Sequence, residues 1–227
     1  MVIEAAYENV ELKQHIFQDL DAFCPERMIL VSSTSTEISS RFAEVTQRPD
    51  RVLVTHYAGP AYVSPLVEIV RTEQTSDETV DIIFRVLKKS GKRPVIVKKE
   101  APGFIAVRLE VAMAREALSM VQRGIASPED IDTVLKTGRP RRWAVAGFSE
   151  SFEVGPGWNL FLIGLKQALP DIDSSMNVIE FLQEQVDKDE SGAKTGKGFY
   201  DWIQEATEAT IQKIADVFIE KWSEDSA

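Results

Sequence analysis

The chain has 227 residues, 26 Lys+Arg against 36 Asp+Glu for a formal net charge of −10, two His and one Cys. Hydrophobic residues at 44% with 27% charged allow a real core in one large domain or two small ones and exclude wholesale disorder. The acidic balance argues against nucleic-acid and membrane-surface binding, the lone Cys24 excludes an internal disulfide, and no run reaches the ~18–20 apolar residues of a membrane span.

The opening residues Met1–Ala6 lack the basic flank and length of a signal peptide, so a soluble, cytoplasmic protein is expected. Val2–Ala6 reads as a short strand. Residues 8–23 follow with apolar positions at helical spacing, among them Val10, Leu12, Ile16, Leu20 and Phe23, and Pro25 closes the segment. Met28–Val31 is a buried-strand run that ends in the hydroxyl cluster Ser32–Thr36. A helix is expected from Glu37 to about Gln47, with Ile38, Phe42 and Val45 inward, until Pro49 breaks it. Arg51–Thr55 and Leu66–Val70 read as strands joined through Gly59-Pro60.

Ser76-Asp77-Glu78 is a helix start, with a capping hydroxyl and two acids in the first turn. Val80, Ile83, Val86 and Leu87 form its apolar stripe, Gly91 stops it, and Pro94–Lys98 is a further strand. Strands alternating with helices on short connections imply an α/β layer around a mostly parallel sheet. After Ala101-Pro102-Gly103 the pattern becomes helical: 105–123, 127–136, 160–169, 178–186, and a last helix with Ile211, Ile214, Val217, Phe218 and Trp222 inward. Trp158 and Phe161 read as core or subunit contacts, and His15 as a surface residue. The expected organisation is α/β plus all-α, with boundaries at 1–100, 101–203 and 204–227. No G-x-G-x-x-G turn occurs, so residues 1–100 read as a partial Rossmann-like domain without its phosphate loop.

His56 falls at the C-terminal end of a predicted strand, where open α/β sheets place ligands, and an imidazole suits the removal of a hydroxyl proton. Glu68 lies on the next strand, which the Gly-Pro bend brings back beside the first. A carboxylate there would fix the imidazole tautomer, and in an apolar strand it needs a polar partner.

Several stretches in order resemble the L-3-hydroxyacyl-CoA dehydrogenase family. Val2-Ile3-Glu4-Ala5 with Glu8-Asn9 and Lys13 is similar to its V-I-E-A…E-N…K segment, and Ser32–Ser35 to its S-N-T-S-S turn. His56–Pro60 resembles H-F-F-N-P, Leu66–Val70 resembles L-V-E-V-V, and Pro102-Gly103-Phe104 with Arg108-Leu109 resembles P-G-F-x-x-N-R-L. Ala126–Asp132 and Lys194–Tyr200 match its C-terminal signatures, and the resemblance runs from residue 1 to about 203. It implies an NAD-binding domain followed by a helical dimerisation domain, and reversible oxidation at C3 of a 3-hydroxyacyl thioester in fatty acid metabolism. By position, His56 would be the general base, Glu68 its orienting carboxylate, and Ser35 a hydrogen-bond partner of the reacting hydroxyl. Ala5, Glu8, Lys13 and Lys194 would face the nicotinamide-ribose side of NAD. A homodimer and no metal are expected.

The chain departs from the family at Val107, where an Asn is usual, at Ala58-Gly59 beside His56, and in lacking the phosphate loop, which reads as an N-terminal truncation. These departures imply weak or absent activity in this chain. They keep two alternatives open: an inactive relic serving as a helical interaction module, and a dehydrogenase of a non-CoA alcohol such as a sugar acid or carnitine.

Overall fold

The computed structural model describes residues 1–155 and 157–225, the side chains of 221–225 excepted. By its internal contacts the chain divides into two compact units, Met1–Glu110 with Thr210–Ala227, and Val111–Ala209.

The first unit is a sheet flanked by helices. In chain order it comprises β1 (Val2–Glu4), α1 (Val10–Phe23), β2 (Leu30–Ser32), α2 (Ser40–Ala43), β3 (Val52–Tyr57), β4 (Leu66–Arg71), α3 (Asp77–Lys89) and β5 (Arg93–Val97). The sheet order is β1-β2-β3-β4-β5. β1, β2 and β3 are mutually parallel, β4 runs antiparallel to β3, and β5 is parallel to β4. The reversal follows from length: residues 58–65 form a connection too short for a crossover, so β4 must return alongside β3.

Alternating residues of the strands bury both faces. On one side Leu30, Val52, Val54 and Val70 pack with Phe17 of α1, Phe42 of α2 and Phe104. On the other, Val31, Leu53, Val67 and Ile69 pack with Val80, Ile83 and Leu87 of α3. Each such side chain is worth roughly 1.5–3 kcal/mol when fully buried. α3 starts as its sequence requires, with the Ser76 side chain accepting from the Thr79 amide and acids and lysines at opposite ends.

Several expectations need correction. The helix expected over 37–47 contracts to Ser40–Ala43. The Ser39 hydroxyl donates to Val70 O instead of capping, Thr46 Oγ1 bonds back to Ala43 O, and Asp21 takes the Gln47 amide, so the next turn never closes. The inner face of α1 is not the one that the apolar spacing marks: Leu12 and Phe23 are exposed, while Lys13 and Phe17 are buried. In α3, Val86 faces out.

The second unit is helical: α4 (Ala106–Gln122, whose first turns belong to the sheet unit), α5 (Pro128–Thr137), α6 (Trp143–Ala146), α7 (Phe148–Glu153), α8 (Gly157–Ala168) and α9 (Asn177–Asp187). α5 has Pro at its first position and a Ser127 cap that accepts from the Asp130 amide. Phe152 lies 4.2 Å from Phe161 and stacks on Trp158 at 6.3 Å, although Trp158 is 46% exposed. The last helix, α10 (Gln204–Asp225), does not bury its expected stripe: Ala215 is buried, but Ile211, Ile214 and Val217 are about half exposed. Trp222 lies outside the described side chains. Among the described residues no helix is long and apolar enough to cross a membrane.

Candidate active site

His56 and Glu68 are directly opposed residues of the antiparallel β3/β4 pair, so their side chains rise from the same face of the sheet. His56 Nδ1 lies 2.8 Å from Glu68 Oε2, and both residues are buried. The second oxygen of Glu68 accepts hydrogen bonds from the amides of Ile105 at 2.8 Å and Ala106 at 3.1 Å, which open α4. The carboxylate therefore orients the imidazole with one oxygen and caps a helix with the other.

Local backbone makes this possible. Gly103 and Phe104 both adopt positive φ, at 76° and 51°, and turn the first amides of α4 toward Glu68. A Cβ at Gly103 would meet Val107 Cγ1 at 3.3 Å, a second reason for glycine there. The Phe104 ring stands 5.5 Å from the imidazole at 52° and helps to close the pair from water. Burial pushes the Glu68 carboxyl up. The hydrogen bonds from His56 and from the two amides outweigh that push, so it is held below the ordinary 4.5 and stays ionised at neutral pH. With a carboxylate at Nδ1, that nitrogen carries the proton and Nε2 is left as the basic lone pair.

Of the residues expected on the cofactor side, Ala5 and Glu8 follow the C-terminal end of β1 and Lys13 lies on α1. Ala5 and Glu8 are exposed in the loop after β1. The Thr34 hydroxyl donates to Glu8, with Thr36 Oγ1 at 3.3 Å from the same oxygen. Lys13 is different. It is buried, its ammonium bonded to Glu4 at 2.9 and 3.1 Å and to Ala6 O at 3.1 Å, with Glu8 at 3.5 Å. It therefore presents no free donor, and acts on the surface only through the groups it holds. The short exposed side chains of Ala5 and Ala6 and the hydroxyls and carboxylate around them fit a ribose at the ends of parallel strands.

Ser35 is exposed and makes no hydrogen bond among the described residues, whereas neighbouring Thr34 is buried and accepts from the Thr36 and Glu37 amides. Lys194 is exposed in the turn of the helical unit and is likewise unbonded. The structure thus brings His56 to Glu68 and Glu8 to Lys13. Sequence reasoning missed Glu4, Ser32 and the α4 amides. A helix start directly after Pro102-Gly103 was the available signal for the amides; Glu4 offered none beyond being a carboxylate in an apolar strand. A cleft of about 1160 Å³ beside Arg71–Gln74 and Lys98–Glu100 lies toward the C-terminal end of β4, past the dyad.

Comparison with known proteins identifies the family. Residues 1–101 match the family described as 3-hydroxyacyl-CoA dehydrogenase, NAD binding domain, and residues 103–202 match its C-terminal domain. The probable 3-hydroxybutyryl-CoA dehydrogenase of Bacillus subtilis (strain 168) is 34% identical over 215 residues, which cover 91% of this chain and 71% of that protein. Among solved structures, 5-formyl-3-hydroxy-2-methylpyridine 4-carboxylic acid 5-dehydrogenase, an NAD+-dependent dismutase, superposes with a TM-score of 0.90 at 27% identity. That match covers 96% of this chain and 71% of the other. The (S)-3-hydroxybutyryl-CoA dehydrogenase of Ralstonia eutropha superposes with a TM-score of 0.69 at 32% identity, covering 89% and 70%. The chain belongs to the 3-hydroxyacyl-CoA dehydrogenase family, whose members are NAD-dependent oxidoreductases.

Proposed function

We propose that this chain carries the proton-transfer half of an NAD-dependent alcohol oxidation, with His56 as general base and a 3-hydroxyacyl thioester as substrate. The observation that carries the reading is the buried His56–Glu68 pair anchored on the first amides of α4. A bound NAD would supply the acceptor for the hydride at C3. As the hydroxyl becomes a carbonyl, its proton passes to Nε2 of His56. The Nδ1–H bond to an ionised Glu68 stabilises the imidazolium that results. Glu8 and the Ala5-Ala6 turn would hold the ribose side, and Ser35 and Lys194 keep the roles that the family resemblance gives them.

The test is NADH oxidation with a short 3-oxoacyl-CoA. His56→Ala should lower kcat about 10²–10⁴-fold, with Glu68→Gln losing less. Equal rates for wild type and His56→Ala would leave the interaction-module reading instead. We also propose a homodimer, formed through the exposed apolar stripes of the helical unit.

A second reading is a small hydroxy or oxo acid that carries no CoA. It is favoured by the closer superposition on the pyridine carboxylic acid dehydrogenase, 0.90 against 0.69. Val107 in place of the usual Asn also supports it, since that position alters the substrate's hydrogen bonding. Turnover of free acids at rates above the thioester would decide for it.

A further inference from the structure

We propose that Glu4, to which the dehydrogenase reading gives no role, is a positioning residue: with Lys13 and Ser32 it forms a buried charged clasp that shapes the cofactor-side surface. The proposal rests on the NAD-binding reading above. Its foundation is geometric. Glu4 and Lys13 are 4% and 1% exposed, and burying two charges is costly unless every donor and acceptor finds a partner. Here they do. The three ammonium protons of Lys13 are matched by Glu4 Oε1 at 2.9 Å, Glu4 Oε2 at 3.1 Å and Ala6 O at 3.1 Å. Glu4 also accepts from Ser32 Oγ at 2.6 Å and from the Ala6 amide.

Apart from the local bond from the Ala6 amide, these bonds join separate segments: the end of β1 with its following turn, the buried face of α1 and the end of β2. A second branch runs from Lys13 through Glu8 to Thr34, whose hydroxyl accepts from the Thr36 and Glu37 amides. The two branches enclose residues 4–8 and 32–37, at and beyond the C-terminal ends of two parallel strands. Folding alone does not demand this device, because apolar replacement of a buried ion pair is often neutral for stability. What charge adds is direction: it fixes the outward set of Ala5 and Ala6 and the place of the Glu8 carboxylate.

The experiment compares Glu4→Gln, Lys13→Met and the double variant with wild type by NADH titration calorimetry, urea unfolding and backbone amide exchange over residues 5–8 and 33–37. Each single variant leaves one buried partner unmatched and should lower the unfolding midpoint and weaken NADH binding at least tenfold. The double variant should recover the midpoint while NADH binding stays at least tenfold weaker and the amides of 5–8 exchange at least tenfold faster. A double variant that regains both stability and NADH affinity would reduce the clasp to a fold element and overturn the proposal. So would single variants that bind NADH within twofold of wild type. A wild-type chain without NADH affinity would sink the cofactor reading instead. The exchange data, which need no cofactor, would then judge the clasp alone, and unchanged exchange in the double variant would overturn it.

Discussion

The sheet unit and the helical unit treat their apolar residues in opposite ways. In the first, strands β2, β3 and β4 are buried on both faces by helices of the same unit, and Leu30, Val52, Leu53, Val54, Val67 and Ile69 are all fully buried. In the second, Phe152 and Val178 are the buried apolar side chains among the described residues, while Leu160, Leu162, Ile163, Ile179 and Val186 are each about half exposed. Both regions carry strong apolar periodicity, so the difference is one of partners. A strand flanked on two sides satisfies its pattern locally. An amphipathic helix needs a second surface, and these unmatched stripes are the ones proposed above to meet a second copy of the chain.

The largest expected effects test that contrast directly. Ile69→Ala in the sheet core should cost about 2–5 kcal/mol in urea unfolding, because an interior strand cannot collapse around the void. The same deletion at Ile163 should cost the dissociated chain under about 0.5 kcal/mol. Ile163→Glu should go further and shift the sedimentation equilibrium toward monomer. Equal costs at Ile69 and Ile163 would break the comparison, and so would an Ile163→Glu chain that sediments like wild type.

What the sequence disclosed divides along similar lines. Helix starts at Ser76 and Ser127 were legible because each cap is a local event, settled within three residues. Glu68 was legible as a partner for His56 because a carboxylate in an apolar strand must pair, and the short turn left β3 as the nearest place. The α2 segment was not legible, since the groups that end it sit on Val70 and Asp21, far along the chain. Nor was Lys13. A lysine on an inner helix face looks like a break in the stripe until Glu4, nine residues earlier, is seen beneath it. α10 shows the converse fault, an apolar spacing that finds no core, because periodicity reports a face without naming what covers it.

Acid separates the two units by a smaller margin. Glu68 is held below 4.5 in the folded chain and would titrate near that value when unfolded. A carboxyl with a depressed folded value contributes stability that is complete above 4.5 and is lost as pH falls through the lower folded one. Wild type should therefore lose urea resistance below about pH 4.5 faster than Glu68→Gln does. In the helical unit Glu190 is also lowered, by its hydrogen bond and charge pairing with Lys197, but Glu190 is only half-buried and Lys197 is largely exposed. Surface pairs of that kind contribute little, so Glu190→Gln should leave the acid limb unchanged. An acid limb that moved with Glu190 and not with Glu68 would reverse the assignment.

The smallest effect is a gain. Thr55, beside His56 on β3, is 1% exposed, and its hydroxyl has no hydrogen-bond partner among the described residues. Its neighbour across the sheet is Ile69, on the face packed by α3, so the oxygen is desolvated among apolar side chains. Valine has nearly the same shape, suits a central strand, and removes the unmatched group. Thr55→Val should therefore stabilise the chain by about 1 kcal/mol in urea unfolding, with NADH turnover unchanged because His56 projects from the opposite face. Thr133→Val in α5 is the matched control. That hydroxyl is exposed and bonded to Glu129 O at 2.8 Å, so its removal offers no desolvation to recover and should change stability by less than about 0.5 kcal/mol. A stabilised Thr55→Val beside a neutral Thr133→Val would mean that the sheet unit is limited by details of its own interior. A destabilised Thr55→Val would instead mean that the hydroxyl is matched in solution, and the contrast between the two units would then rest on their apolar surfaces alone.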